Sequence, residues 1–517
     1  MSKKFSSTVA GGAIFITVIG LLSRLLGLVR ESIFASFFGL TQDYNLYLIA
    51  VVFPVTINSV FIYFTQNYYI PKYFEFKNKS DSDASEFNNS VFWFLIGLGF
   101  LITIFLYLFS TQIISAYLSI DNPIQLNTVA NVFKILVLSI PFGFSSSILS
   151  AMLQANYEFK FPSFSQLFLN LSIIIIVILF SKEIGIFATA WGFLVGMILQ
   201  FLYLLFKTIK ITTLKIKVPS FPDMIKIFDV SLIIILFIEI VGQIYPLSDR
   251  YFLNLVDEGG IAALNYSFNI FLLPITIISM SVSTALLPRL SSLLSDGTKS
   301  ELSRSMNLFF EVMLFMFVPI VFILFFDGDI IIRILFQRGK FLSNDTFITF
   351  NTLRFYSLSL VFFAIYSGIN KLLYGSKMIK QLFLIVITAA LSKIVLNFIL
   401  VKIMKQDGLA LSTSISFFIL FAGGYLTLIS KKIISTNLLF IKNVTINIIN
   451  IILSYVSVKI FFYLLFGEEL VYRILLLFAV LLVYLINSII IKREALQVFI
   501  RTIKSVPLFN NIQKNID

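Results

Sequence analysis

Three charges interrupt an apolar segment near the N-terminus: Arg24, Arg30 and Glu31 stand in Ser23-Arg24-Leu25-Leu26-Gly27-Leu28-Val29-Arg30-Glu31. An ionised side chain at membrane depth costs roughly 3 kcal/mol on insertion scales, so such residues are candidates for function. Helical spacing puts Gly20, Arg24, Gly27 and Glu31 on one face, with Arg30 on its flank. The small residues leave room beside the charges, as a cavity wall requires. A second pair, Asp249-Arg250, ends a later apolar segment. Guanidinium groups stay ionised and bind phosphate bidentately. Arg24, Arg30 and Arg250, with Glu31 and Asp249 beside them, therefore suit a site for an anion such as phosphate or pyrophosphate. A structural role competes: Arg30 pairs with Glu31 or Asp43, and Arg250 with Asp249, to neutralise buried charge. Arg24 has no carboxylate within one helical turn, which favours a ligand role there.

Deeper in the chain stand Glu239 and Lys393, each in an apolar segment, with Asn397 one turn beyond Lys393 and Ser412, Thr413 and Ser416 following. Either Glu239 and Lys393 form an internal salt bridge, or Glu239 holds a coupling proton or sodium ion. The salt bridge is favoured, because a tethered ammonium fills the place of a bound cation. Lys134, Arg354 and Lys459 sit near segment ends, where snorkelling accounts for them. Asp81-Ser82-Asp83 and Asp327-Gly328-Asp329 have the spacing of a metal-binding carboxylate pair but lack supporting ligands, so no metal site is expected.

Other chemistry is excluded by composition. The chain has no cysteine and no histidine, which removes disulfides, thiol nucleophiles, imidazole or thiolate metal sites and histidine acid–base catalysis. Gly97-Leu98-Gly99 lies in an apolar run without the third glycine of a nucleotide fingerprint, and no Walker loop occurs. No cofactor, nucleotide or enzymatic activity is expected. The net charge of +13 is read as cytoplasmic loops facing anionic lipid rather than as a nucleic-acid surface.

The elements that must position these residues are membrane helices. Of 517 residues, 58% are hydrophobic and 13% charged, too apolar for a water-soluble globule. Apolar runs of about 20 residues fall at 9–30, 44–64, 91–118, 130–152, 164–181, 186–206, 228–246, 262–287, 308–326, 349–370, 381–401, 408–429, 443–466 and 471–491. The fold class is all-α, a polytopic membrane protein with 14 transmembrane helices. The first span carries charges in its middle and no small-residue cleavage site follows, so it is not a signal peptide. Lysine and arginine crowd the segments that share a side with the N-terminus, which places both termini in the cytoplasm.

An offset of 220 residues lays Arg30 on Arg250, Gly39 on Gly259, Asn45 on Asn265 and Pro54 on Pro274. This is an internal duplication. Six spans precede the repeat, so both halves enter the membrane in the same direction. Residues 1–220 form one six-helix lobe, 221–440 a second, 441–492 two additional C-terminal helices and 493–517 a cytoplasmic amphipathic tail. The basic stretch 207–226 links the lobes, and the loops at 72–89 and 327–345 are the longest polar ones.

The stretch Ser23 to Glu31 and Ser248-Asp249-Arg250 resemble the lipid II flippases (MurJ, formerly MviN, proteins) of the multidrug/oligosaccharidyl-lipid/polysaccharide exporter superfamily. So do Ala263-Leu264-Asn265-Tyr266, Leu286-Leu287-Pro288-Arg289-Leu290-Ser291 and Ile334-Leu335-Phe336-Gln337-Arg338-Gly339-Lys340-Phe341. The resemblance implies two six-helix lobes around a cationic cavity, with the last two helices forming a groove for a lipid tail. It implies a substrate of undecaprenyl-pyrophosphate-linked glycan, moved from inner to outer leaflet by alternating access, with Arg24, Arg30 and Arg250 as cavity arginines. The chain departs from the family pattern at Asn58-Ser59 and Phe64-Thr65, where an arginine pair and Glu-Gly are usual, at Ser267-Phe268-Asn269, and near Ser367. The expected function is a flippase for lipid II, the peptidoglycan precursor, in the bacterial cytoplasmic membrane. Its partners would be polyprenyl-pyrophosphate-linked sugar and membrane lipids, with a functional link to cell-envelope glycan synthesis. The alternatives are a flippase for another polyprenyl-linked oligosaccharide and, further off, a multidrug or cation antiporter, which would want an acidic cavity.

Overall fold

Within hydrocarbon, backbone N–H and C=O groups have no water to bond, so a chain this apolar must satisfy them inside its own segments as helices. The computed structural model describes residues 9–118, 122–212, 236–237, 239–279, 299–376, 378–434, 438–466 and 470–490. Among them every regular element is helical. Ten helices are long and apolar enough to cross a membrane, and up to eleven when a pair bent by 45° is taken as one span.

The N-terminal elements are α1 (Val9–Phe38), α2 (Gln42–Phe64), α3 (Ile70–Lys77), α4 (Asp81–Leu108), α5 (Ser110–Tyr117), α6 (Pro123–Val137), α7 (Ile140–Ala155), α8 (Lys160–Ile184) and α9 (Phe187–Ile209). A π-helical turn, Thr65–Tyr69, joins α2 to α3. There follow α10 (Ile244–Tyr251), α11 (Gly260–Pro274), α12 (Lys299–Phe336), α13 (Ser343–Ser357), α14 (Leu360–Gly375), α15 (Ile379–Ser430), α16 (Leu438–Phe466) and α17 (Leu470–Ile490). Each expected span coincides at least in part with one of these helices, the seventh only at its end, where α10 begins. The first part of the seventh (228–235), most of the 207–226 linker, the Leu286 to Ser291 motif and the tail 493–517 lie outside the described residues. Two expected spans share α15, which breaks at Lys405 (φ 51, ψ −129).

Both stretches expected as long polar loops are mostly helix. At 72–89 only a short turn separates α3 from α4. Ser80 accepts a hydrogen bond from the Asp83 amide at 3.0 Å, and Asp81 and Asp83 occupy the positive first turn of α4, where carboxylates stabilise a helix. Lys77 pairs with Asp81. At 327–345, α12 runs on to Phe336 through a kink at Asp327 (φ −130, ψ 20).

The chain divides into two compact units, Met1–Ala263 with Leu335–Asp345, and Leu264–Ile334 with Thr346–Asp517. In the first unit, α8 and α9 pack through Gly192-x-x-x-Gly196. A Cβ on Gly192 would lie 2.8 Å from Ile173 Cα, and one on Gly196 2.8 Å from Leu169 Cα. Such close backbones raise dispersion contact where lipid offers no hydrophobic drive. Gly39 (φ 60) and Gly259 (φ 78), counterparts in the 220-residue offset, both take the left-handed conformation just ahead of a helix. Asn45 Oδ1 accepts from the Ala262 amide at 2.9 Å, satisfying one open donor at the start of α11.

In the second unit, Phe363 and Phe417 stack with centroids 4.2 Å apart, and Phe271 stacks on Phe417. The last two helices are joined by polar contacts: Asn450 Nδ2 donates to Ser488 Oγ at 3.0 Å, Tyr484 OH to Asn447 Oδ1 at 2.6 Å, and Asn487 Nδ2 to Ser454 Oγ at 3.1 Å. Each such bond between membrane helices contributes roughly 0.6–2 kcal/mol.

Candidate functional site

Helix α1 turns Arg30 and Glu31 toward other helices of the first unit. Arg30 NH2 donates to Glu31 Oε1 at 2.6 Å and Arg30 NH1 to Asn170 Oδ1 of α8 at 3.1 Å. Asn170 Nδ2 turns back to the Ser23 carbonyl at 3.3 Å, so one amide clamps both ends of the charged segment to α8. Glu31 is 4% exposed, and its second oxygen accepts from Tyr44 OH at 3.1 Å. The pairing of Arg30 with Glu31 is thus real, yet Arg30 Nε remains without a partner and Arg30 lines a cavity.

That cavity measures about 430 Å³ and lies within the first unit, walled by α1, α2, α7, α8 and α9 with the π turn at its edge. From α1 it receives Ser23, Gly27 and Arg30. The expected stripe of Gly20, Arg24, Gly27 and Glu31 contributes only Gly27, because Glu31 turns to Tyr44 instead. Arg24, Glu31, Asp249 and Arg250 are not among the lining residues. The remaining wall is amides and hydroxyls: Asn58 and Gln66, Ser146 and Gln154, Asn170 and Gln200 among them. Of these the sequence reading names only Asn58, and that as a departure from the family pattern; the rest carry no charge, and the serine run Ser145-Ser146-Ser147 inside an apolar segment is the signal available for them.

The other expected site residues lie elsewhere. Arg250, at the end of α10, donates through Nε to the Leu48 carbonyl at 2.9 Å and through NH1 to the Pro246 carbonyl at 3.1 Å. Asp249 beside it is 8% exposed. Glu239 accepts from Gln243 Nε2 at 2.7 Å. In the second unit Lys393 is fully buried and donates to Thr413 Oγ1 at 2.6 Å, while Asn397 Oδ1 accepts from Ser412.

Asp327-Gly328-Asp329 is an ion-pair anchor. Arg473 of α17 bonds both Asp329 oxygens at 2.9 Å and Asp327 Oδ1 at 3.2 Å, and Tyr455 OH of α16 donates to Asp327 Oδ2 at 2.6 Å. The carboxylates at the α12 kink therefore tie down the two last helices. Among the described residues no cluster could hold a metal ion.

The sequence profile of the family described as "Lipid II flippase MurJ" matches residues 34–485. A "Probable lipid II flippase MurJ" of Buchnera aphidicola subsp. Schizaphis graminum is 30% identical over 439 residues, 82% of this chain and 84% of that one. The "Lipid II flippase MurJ" of Thermosipho africanus is 29% identical over 420 residues, 80% of this chain and 84% of that one. Among solved structures, "Lipid II flippase MurJ, inward closed conformation" superposes with a TM-score of 0.79 at 26% identity, covering 93% of this chain and 99% of that one. An inward-facing multidrug resistance MATE family transporter of the MOP superfamily matches at a TM-score of 0.65 with 14% identity, over 81% of this chain and 98% of that one, a likeness of fold alone. With its sequence matched along most of its length and its helices in the same arrangement, the chain belongs to the lipid II flippase MurJ family.

Proposed function

We propose that this multi-pass bacterial membrane protein is a flippase for lipid II, carrying its headgroup from the inner to the outer leaflet of the cytoplasmic membrane. The observation that carries this reading is a guanidinium-bearing polar cavity of about 430 Å³ enclosed by helices apolar enough to span a bilayer. A lipid has no use for such a space, whereas a sugar pyrophosphate being drawn across hydrocarbon needs one. Arg24, Arg30 and Arg250 attract the pyrophosphate, Glu31 and Asp249 hold the arginines in place, and the polyprenyl tail stays in the bilayer beside α16 and α17. The lobes, residues 1–220 and 221–440, rock to expose the headgroup on alternate sides. A cationic site resetting across the field gains about 2.3 kcal/mol per charge per 100 mV, so the membrane potential can assist the cycle. Both termini face the cytoplasm. The chain acts as a transporter, in functional partnership with the enzymes that make and polymerise envelope glycan.

The test replaces Arg24 and Arg250 singly with alanine in a bacterium whose own lipid II flippase is repressible. Loss of growth with normal amounts of folded protein supports the assignment. Normal growth on both variants sinks it.

A further inference from the structure

We infer that the cavity of the first unit seats the neutral sugar portion of the headgroup, and that Asn58 and Ser146 recognise it. This rests on the reading of the chain as a lipid II flippase and goes beyond it by naming which groups read which part of the substrate.

The starting point is a pair of orphaned polar side chains. Asn58 is 5% exposed and Ser146 3% exposed, yet neither Asn58 Oδ1, Asn58 Nδ2 nor Ser146 Oγ has a hydrogen-bond partner. Both residues line the cavity. Leaving a buried donor or acceptor unmade costs about 1–3 kcal/mol each, so native proteins answer such groups with protein, water or ligand, and here the protein itself supplies no partner. Asn58 is also held in place. Gly143 of α7 lies directly under its amide, where a Cβ would overlap both Oδ1 and Nδ2. The missing side chain of Gly143 is the room that the amide occupies in the wall.

The lining selects the chemistry. Among the described residues Arg30 is the single charged group on it, and Glu31 pairs with it at 2.6 Å. Among the described residues no carboxylate lines the space, so a cation finds no counter-charge. A phosphate only accepts hydrogen bonds and would leave the amide oxygens of Asn58 and its neighbours unanswered. Amides and hydroxyls offer donors and acceptors together, the complement of sugar hydroxyls and acetamido groups. The volume of about 430 Å³ falls within the roughly 300–1,000 Å³ of small-molecule sites. The sugar then belongs with Asn58 and Ser146, and Arg30, on the same wall, is left to meet the pyrophosphate that joins the sugar to its lipid.

The experiment titrates purified full-length protein in lipid nanodiscs with lipid II, with the same lipid stripped of its peptide by an amidase, and with undecaprenyl pyrophosphate, which lacks sugar and peptide alike; whatever is expected for lipid II is expected equally for the peptide-free lipid. The variants are Asn58→Leu and Ser146→Ala, the second a minimal change that guards against misfolding of the first. Each is expected to weaken lipid II binding about tenfold, the loss of one buried hydrogen-bonding group, while undecaprenyl pyrophosphate binds within twofold of wild type. Arg24→Ala weakens all three probes. Equal losses for all three probes in the Asn58 and Ser146 variants, a loss for lipid II that the peptide-free lipid does not share, or no loss for any, overturn the inference; the last marks the cavity as holding water only. Wild-type protein that binds none of these lipids overturns the flippase reading itself, a failure distinct from these.

Discussion

Glu31 offers the sharpest stability prediction. Replacing it with glutamine keeps the shape but removes the carboxylate that Arg30 NH2 meets at 2.6 Å and Tyr44 OH at 3.1 Å. Breaking a fully buried ion pair by removing one partner costs about 3–5 kcal/mol. The Arg30 side chain keeps 26% of its exposure against 5% for Glu31, so water recovers part of the loss, and about 2–3 kcal/mol is expected for Glu31→Gln. Arg30→Met strands the more buried partner and should cost more. The double variant removes both charges and should be no less stable than Glu31→Gln alone, giving a coupling of about 3 kcal/mol in the double-mutant cycle. Equilibrium unfolding in mixed micelles measures all four corners. Single variants within about 0.5 kcal/mol of wild type, or strictly additive effects, would refute the buried-pair argument. The stable double variant should still fail to flip lipid II, since its cavity has lost the guanidinium.

Three further outcomes follow from the packing. Gly39→Ala and Gly259→Ala each force a side chain into the left-handed region, at about 1–2 kcal/mol before any clash, whereas Gly97→Ala, with nothing within 4 Å of its added methyl, should be neutral or slightly stabilising in its helix; thermal unfolding ranks the three. Gly196→Val should separate α8 from α9 and lower the unfolding temperature, because the first added carbon already meets the Leu169 backbone at 2.8 Å; an unchanged temperature would show that the two helices do not need this approach. Arg473→Leu leaves Asp327 and Asp329 without their bidentate partner and should cost about 3 kcal/mol, read as faster hydrogen exchange in α16 and α17 than elsewhere.

The charged residues were legible because each stands against an apolar background that makes it costly. Arg30, Glu31 and Lys393 are all found inside protein, as that cost demands. Which way a face turns was not legible: periodicity groups Gly20, Arg24, Gly27 and Glu31, but in a helix apolar all round it does not say which side meets its neighbours. The cavity takes Ser23, Gly27 and Arg30 from α1, one step around. Ser146 and Asn170 are not legible for a different reason. Neutral side chains raise little insertion cost, and their roles arise from partners on other helices, as Asn170 does with Arg30 at 140 residues' separation. Asp327-Gly328-Asp329 read as a loop because its neutralising partner, Arg473, lies 146 residues further on. The duplication, by contrast, left a mark visible in both places, since Gly39 and Gly259 share the same left-handed turn.

The central claim is that this chain moves lipid II across the membrane. The most direct measurement expresses it in a bacterium depleted of its own flippase and adds, from outside, a phosphodiesterase that cleaves lipid II only where the headgroup is exposed on the outer leaflet. Cleavage restored by the wild-type chain and lost in Arg24→Ala is the predicted result. Lipid II that stays protected although the chain is present and folded in the membrane would contradict it.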